Sequence, residues 1–377
     1  MTPLQVLRNP EVALKLLHIG QLITSRREIR PLVRSVVKAA GQLIRADRCS
    51  LWVLDRRSQE VYTMAGAGLD HEIRMPVNEG LVGEAMSNHV TLNIPNAYNH
   101  PTFNSRWDQK TGYHTGSVLC QPMTRQGQVI ACFQAINSQR PGGIFLPEDE
   151  EISRIIADFT AIAVENALLI EDLRRLFETT IVAFAKAVDA RDPTTGDHTR
   201  MVTALSVAIA RELGLDLAEV ERLRVAAILH DCGKIGVPDN ILMHPDRLDS
   251  VDMEIMRGHV VTTRRILEGI DWPRGFEPVV DIAAAHHEKL DGSGYPDGLS
   301  GEFISMPARI LAVADIFHAL TQKRPYKPAQ DPVTALDTCR DLTTSPRYLD
   351  LQAVTALSRV LEGCHYQVES LVHHAGW

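Results

Sequence analysis

LRVAAILHDCGK, residues 223–234, decides the fold of the C-terminal half of the chain. Its apolar positions recur at helical spacing as far as Leu229, and the run then ends on a histidine, an aspartate and, one turn later, a lysine. VVDIAAAHHEK at 279–289 repeats the plan, with His286-His287 closing an apolar run. Around these two segments stand His198 on HTRMVTALSVAIARELG (198–214), His259 on SVDMEIMRGHVVTTRRILEGI (250–270) and Asp315 on PARILAVADIFHALTQ (307–322), all of helical period. With TTIVAFAKAVDARD at 179–192 they make the chain beyond Glu178 almost wholly helical.

One histidine on an apolar helix face is by default a satisfied core residue. His198, His230, Asp231, His259, His286, His287 and Asp315 together exceed that default, because every buried polar group needs a partner and a cation can serve them all. Seven ligands without a thiolate are too many for one ion and suit a cluster. A carboxylate can bridge two ions, imidazoles leave the ions net positive charge, and water shared between ions about 3.5–4 Å apart is hydroxide near neutral pH, which is the chemistry of phosphate-ester hydrolysis. The nitrogen and oxygen set suits Fe or Mn, with Zn, Co and Ni also compatible.

Length and charge bound the remaining classes. A chain of 377 residues divides into two or three compact units of roughly 100–200 residues each. Its net charge is -8 and it has no long Lys/Arg block, so no nucleic-acid polymer is expected as a partner and any anionic ligand must be met locally. MTPLQVLRNPEVALKLLHIGQLI, at the start, carries charges through its apolar stretch and has no small-residue cleavage site; no run of about 18 apolar residues follows, so neither secretion nor a membrane span is expected. The six cysteines stand singly, without a Cys-x-x-Cys pair, which argues against disulfides and structural zinc and for a reducing cytoplasm.

Between 150 and 180, Ile152, Ile155, Phe159, Ile162, Asn166, Leu169, Leu173, Leu176 and Thr180 are spaced alternately by three and four, the seam of a left-handed coiled coil. A parallel homodimer through this helix is the simplest use, with Asn166 fixing register; a core helix within one chain is the alternative. Before it, residues 11–45 read as a helix pair, followed by short alternating segments such as CSLWVLD (49–55), VYTMAG (61–66) and GQVIACFQAIN (127–137), an α+β module.

Through NAYNHPTFNSRWDQKTGYHTGSVLCQPM (96–123), GQVIACFQAIN and FLPEDEEISRIIADFTAIAVENALL (145–169), this module resembles a GAF domain over roughly residues 15–170. Asn137, Phe145, Asp149 and Glu150 match four members of a five-residue signature of cyclic-nucleotide-binding GAF domains, while Ser138 stands where the signature has a lysine that contacts the aspartate. The resemblance therefore implies a sensor fold whose ligand is an unknown small molecule, in a pocket that Phe103, Trp107 and Tyr113 would cover. A purely structural dimerising module is the alternative.

The helical half resembles an HD-GYP domain from about 178 to 370, the cyclic di-GMP phosphodiesterase branch of the HD superfamily. His230-Asp231 with Gly233 and Lys234 match its HD-x-GK core, HHEKLDGSGYPDGLSGE (286–302) its second block and ARILAVADIFHALTQKRPYK (308–327) its third. The resemblance implies that His198, His230, Asp231 and Asp315 hold one metal, and that His259, His286 and His287 hold a second with Asp231 bridging. Lys234 is expected to act in catalysis with Asp231, and Gly294, Tyr295, Arg324, Lys327 and His318 to meet substrate. Asp291 and Glu288 are expected to orient imidazole N–H groups. Two departures touch the site: Thr194 stands where members with a third metal carry a carboxylate, and His318 replaces a usual aspartate, free to contact substrate, add a ligand or pack. SPRYLDLQAV (345–354) also diverges, away from any expected ligand.

The expected organisation is multidomain: an α+β GAF-like sensor at 1–165, a coiled-coil helix at 150–180 and an all-α metal-dependent phosphodiesterase unit at 178–377. The expected reaction is hydrolysis of cyclic di-GMP to linear pGpG, GMP or both, under control of the sensor. A receptor that binds a cyclic dinucleotide without cutting it, and an HD hydrolase acting on another nucleotide, are the alternatives.

Overall fold

A computed structural model describes residues 10–25, 29–66, 72–191, 197–244, 246–322 and 328–374. Thr194, Arg324 and Lys327 lie outside these described residues. The chain divides into two units, Met1–Arg174 and Arg175–Trp377.

In the first unit, α1 (Pro10–Ser25) and α2 (Ile29–Leu43) precede β1 (Ala46–Asp55), β2 (Glu60–Gly66) and β3 (Arg74–Pro76). Then come α3 (Gly80–Asn88), β4 (Leu92–Ile94), α4 (Arg106–Thr111), β5 (Val118–Arg125), β6 (Gln128–Ser138) and α5 (Pro147–Asp189), whose residues from Arg175 on count with the second unit. The sheet order is β3-β2-β1-β6-β5-β4 and every neighbouring pair is antiparallel. Successive strand residues face opposite sides, which gives the sheet two cores. Leu51, Val53, Leu119 and Phe133 pack with Val33 and Val36 of α2 and Ile152 and Ile156 of α5. Trp52, Val118 and Cys132 pack with Leu81, Val82 and Met86 of α3.

The long helix α5 starts on a proline at its first position, carries Glu148, Asp149 and Glu150 against the positive end of its dipole, and meets no Gly or Pro for 42 residues after Pro147. The expected seam changes character along it. Ile152 is buried and Ile155 is packed into the first unit's core, so these two positions are not open to a partner helix. Phe159, Ile162, Leu169, Leu173 and Leu176 remain 42–64% exposed. Phe177, Ile181 and Ala185, further along, belong to the second unit's core.

The second unit is helical: α6 (His198–Glu212), α7 (Leu217–Leu229), a 3-10 turn (Cys232–Gly236), α8 (Asp239–Leu242), α9 (Ser250–Glu268), α10 (Val279–Ala284), α11 (Met306–Thr321), α12 (Pro332–Asp341) and α13 (Leu351–Gly363). Five of these helices have starts capped by side chains. Asp216 and Glu219 form a reciprocal capping box on α7, and Asp249, Ser305, Asp331 and Asp350 accept the first free amides of α9, α11, α12 and α13. Leu205, Leu223, Leu311, Phe317 and Leu357 are fully buried where α6, α7, α11 and α13 meet, each contributing about 1.5–3 kcal/mol.

Candidate metal centre

Residues Leu223–Leu229 of α7 are buried on all sides, so the helix runs through the core and delivers His230 to the interior with no exposed surface. The helix stops there and the chain tightens into the Cys232–Gly236 turn. Gly233 lets α9 pack directly on that turn, since a Cβ there would lie 2.0 Å from the His259 carbonyl oxygen and 2.4 Å from the Thr263 amide. Backbone thus lies on backbone, and α9 brings His259 to the end of α7. The Thr263 hydroxyl accepts from the Gly233 amide at 2.9 Å and donates to the His230 carbonyl at 3.0 Å. Thr263 was not singled out from the sequence; its position one turn after His259, on the same face of the helix, was the available signal.

Asp231 occupies the middle of the centre. Its Oδ2 lies 3.5 Å from His230 Nε2, 3.7 Å from His198 Nε2 and 2.7 Å from Lys234 Nζ. Its Oδ1 lies 3.3 Å from His259 Nε2 and 3.8 Å from His286 Nε2. His198 Nε2 is also 3.3 Å from Asp315 Oδ1. Ligand atoms of His198, His230 and Asp315 come within 4.8 Å of one another, as do those of His259, His286 and His287, and those of His230, Asp231 and His286. The seven residues expected as ligands are therefore assembled in one place.

The proton positions on three rings follow from their neighbours. Nδ1 of His230, His259 and His286 each lies 2.6–2.7 Å from the carbonyl oxygen three residues earlier, that of Ala227, Met256 and Ala283. A carbonyl only accepts, so Nδ1 carries the proton and Nε2 keeps a lone pair. All three Nε2 atoms are buried and have no hydrogen-bond partner among the described residues. A buried polar atom left so is costly, and three of them converging on a carboxylate fit a divalent cation.

The charge states agree with that donor set. Burial pushes His286 well below its ordinary range, His230 below it and His287 down to about 4, which keeps these rings neutral. Burial alone would raise Asp231, but the Lys234 ammonium 2.7 Å away draws it well below the usual carboxylate range. Asp315 is lowered likewise, chiefly by His198 beside it, against its own burial.

The loop after His287 corrects two expectations. Glu288 accepts the amides of Asp297 and Leu299 at 2.7 and 2.9 Å, and Asp291 accepts the amide and hydroxyl of Ser293 at 2.9 and 2.7 Å. Both carboxylates therefore shape the loop and neither orients an imidazole. Gly294 packs on the loop's own start, where a Cβ would lie 2.5 Å from Glu288 Cα. Tyr295 does reach the centre, its ring 4.8 Å from that of His287 and 5.2 Å from the guanidinium of Arg257, a cation the sequence reading missed. His318 is buried, with Nδ1 2.9 Å from Nδ1 of His198, on the ring edge opposite to Asp315.

In the first unit the four signature residues are structural partners. Asn137 accepts the Gly116 amide and donates to the His114 carbonyl and the Tyr113 hydroxyl. Phe145 is core, and Glu150 accepts from Asn93 at 2.7 Å. Asp149 is fully buried and takes a two-pronged pair from Arg140, with the Leu146 amide at 2.8 Å, so Arg140 supplies the cation that Ser138 does not. On the sheet face that carries Trp52, a cavity of about 170 Å³ is lined by Trp52, Met75, Leu81, Phe103, Trp107, Tyr113 and Gln134, among others.

No helix among the described residues is long and apolar enough to cross a membrane. Comparison with known proteins agrees with both units. A "GAF domain" family model matches residues 28–164 and an "HD domain" model residues 183–350. The chain is 43% identical over 152 residues to 3'3'-cGAMP-specific phosphodiesterase 3 of Vibrio cholerae, covering 40% of this chain and 32% of that protein. It is 39% identical over 171 residues to the cyclic di-GMP phosphodiesterase response regulator RpfG of Xanthomonas campestris, covering 45% of each. It is 44% identical over 141 residues to a cyclic di-GMP phosphodiesterase of Thermotoga maritima, covering 36% of this chain and 37% of that one. The matches span less than half the length of these relatives. The chain thus joins a GAF domain to a helical HD domain whose matched segment contains all seven histidine and aspartate residues of the centre.

Proposed function

We propose that the HD domain hydrolyses a phosphodiester bond of a cyclic dinucleotide, cyclic di-GMP or 3'3'-cGAMP, with two divalent ions, Fe or Mn, in the histidine centre. The observation that carries the reading is Asp231, one oxygen turned toward His198 and His230 and the other toward His259 and His286. On this reading His198, His230, Asp231 and Asp315 hold one ion, and His259, His286, His287 and Asp231 the other. Two ions so held supply Lewis acidity and a nucleophile drawn from water. Lys234 is the nearest cation to the shared carboxylate, and its ammonium meets a phosphate oxygen of the substrate. Tyr295 offers a base a ring to stack on beside His287, with Gly294 closing the loop beneath it. Arg324 and Lys327 take the second phosphate on this reading, which rests for them on their place in the sequence alone. The names of the three relatives support the substrate class.

Control is assigned to the GAF domain, with a small molecule in the cavity under Trp52, Phe103, Trp107 and Tyr113. The exposed run Phe159, Ile162, Leu169, Leu173 and Leu176, with Asn166 within it, supports a homodimer through α5. Cys49, Cys120, Cys132, Cys232, Cys339 and Cys364 are unpaired, which supports a cytoplasmic setting. The test is direct: protein loaded with Fe²⁺ or Mn²⁺ should convert one or both cyclic dinucleotides to linear dinucleotide or mononucleotide, resolved by chromatography, and His230→Ala should not. Turnover that survives in His230→Ala would sink the reading, and tight binding without product would replace it with a receptor.

A further inference from the structure

His198 differs from His230, His259 and His286 in how its far nitrogen is held. His230, His259 and His286 each direct Nδ1 to a carbonyl three residues earlier in the chain. His198 is the first residue of α6, so no turn of its own helix precedes it to offer that carbonyl. Its Nδ1 instead meets Nδ1 of His318 at 2.9 Å, across 120 residues of sequence and inside the core. His198 Nε2 faces Asp315 and Asp231, so its lone pair can serve an ion only if the ring proton sits on Nδ1. That proton then needs an acceptor, and His318 Nδ1 stands where one is required.

We propose that His318 is a positioning residue: its Nδ1 accepts the Nδ1 proton of His198 and so fixes the tautomer and ring plane with which His198 faces the first ion site. The inference rests on the two-ion reading above and goes beyond it, because His318 then touches neither ion nor substrate. It also separates the two ion sites, since His259 and His286 are held by backbone carbonyls and not by this contact.

The test is Mn²⁺ binding to the metal-free full-length chain, with free Mn²⁺ counted by its EPR signal, for the wild type and three variants. His318→Asn places an amide oxygen near the position of Nδ1 and should keep both ions. His318→Gln keeps polarity but moves the acceptor outward, and His318→Phe fills the space with no acceptor. Each of these two should retain one ion at wild-type affinity and bind the second about 10–100-fold more weakly. Circular dichroism of the ion-free variants controls for folding, and His318→Gln remains informative if His318→Phe does not fold. Wild-type binding of both ions by His318→Gln overturns the inference, as does an Asn variant as weak as the Gln variant. A wild-type chain that takes up no Mn²⁺ overturns the two-ion reading itself, a different result from either of these.

Discussion

Asp149 in the GAF domain and Asp231 in the HD domain are both buried carboxylates, 0% and 7% exposed, but they are answered differently. Asp149 has Arg140 on both oxygens and the Leu146 amide besides, so its surroundings are complete within the chain. Asp231 has Lys234 at 2.7 Å and then imidazole nitrogens at 3.3–3.8 Å, three of which have no hydrogen-bond partner among the described residues. Two buried acids thus serve different ends. A closed polar cluster holds a fold together, whereas an open one of lone pairs and a carboxylate stores a cost that only something added from outside can relieve.

The largest effect that would break this contrast is Asp231→Asn. It should take turnover of the cyclic dinucleotides to background and remove both Mn²⁺ ions, read by product chromatography and by metal analysis; retention of both ions would show that the shared carboxylate is dispensable. Next comes acid. His287 is held down to about 4 and His286 well below its ordinary 6.5, both by burial, whereas the unfolded chain binds those protons near 6.5. Stability from keeping them neutral is present above pH 6.5 and is lost as pH falls toward about 4. The urea midpoint of the ion-free chain should therefore fall across that window, and a flat midpoint would mean the rings charge freely in the fold.

Smaller effects test the closed side. Asp149→Ala leaves Arg140 without its acid and should cost about 1–3 kcal/mol in urea unfolding while leaving ion content unchanged. Loss of ions in that variant would end the distinction between the two clusters. Smallest of all, Glu288→Gln keeps an oxygen for the loop amides and should cost about 1 kcal/mol with both ions retained. A lost ion there would restore Glu288 to the role of orienting an imidazole.

Much of the centre was legible in the sequence because polar residues interrupt apolar helices there, and such interruptions carry their own physical question. His230 and Asp231 at the end of Leu223–Leu229 are the clearest case. What pattern does not carry is which groups meet across long stretches of chain. Arg140 replaces the missing lysine two residues away from it, Thr263 ties two segments 30 residues apart, and His318 finds His198 across 120. Periodicity also reported the apolar face of α5 without saying what covers it, so Ile152 and Ile155 read the same as Leu169 and Leu173 although the first two are core and the last two are exposed.

The carbonyl acceptors behind His230, His259 and His286 have a consequence for how the centre tolerates change over generations. Ala227, Met256 and Ala283 hold these rings through their backbone, so most single codon changes at those three positions leave the acceptor in place. His198 leans on a side chain, and one codon change at His318 can delete its support. Mutational robustness is therefore uneven within a single cluster, and variation that drifts harmlessly past His230, His259 and His286 would be felt at His198.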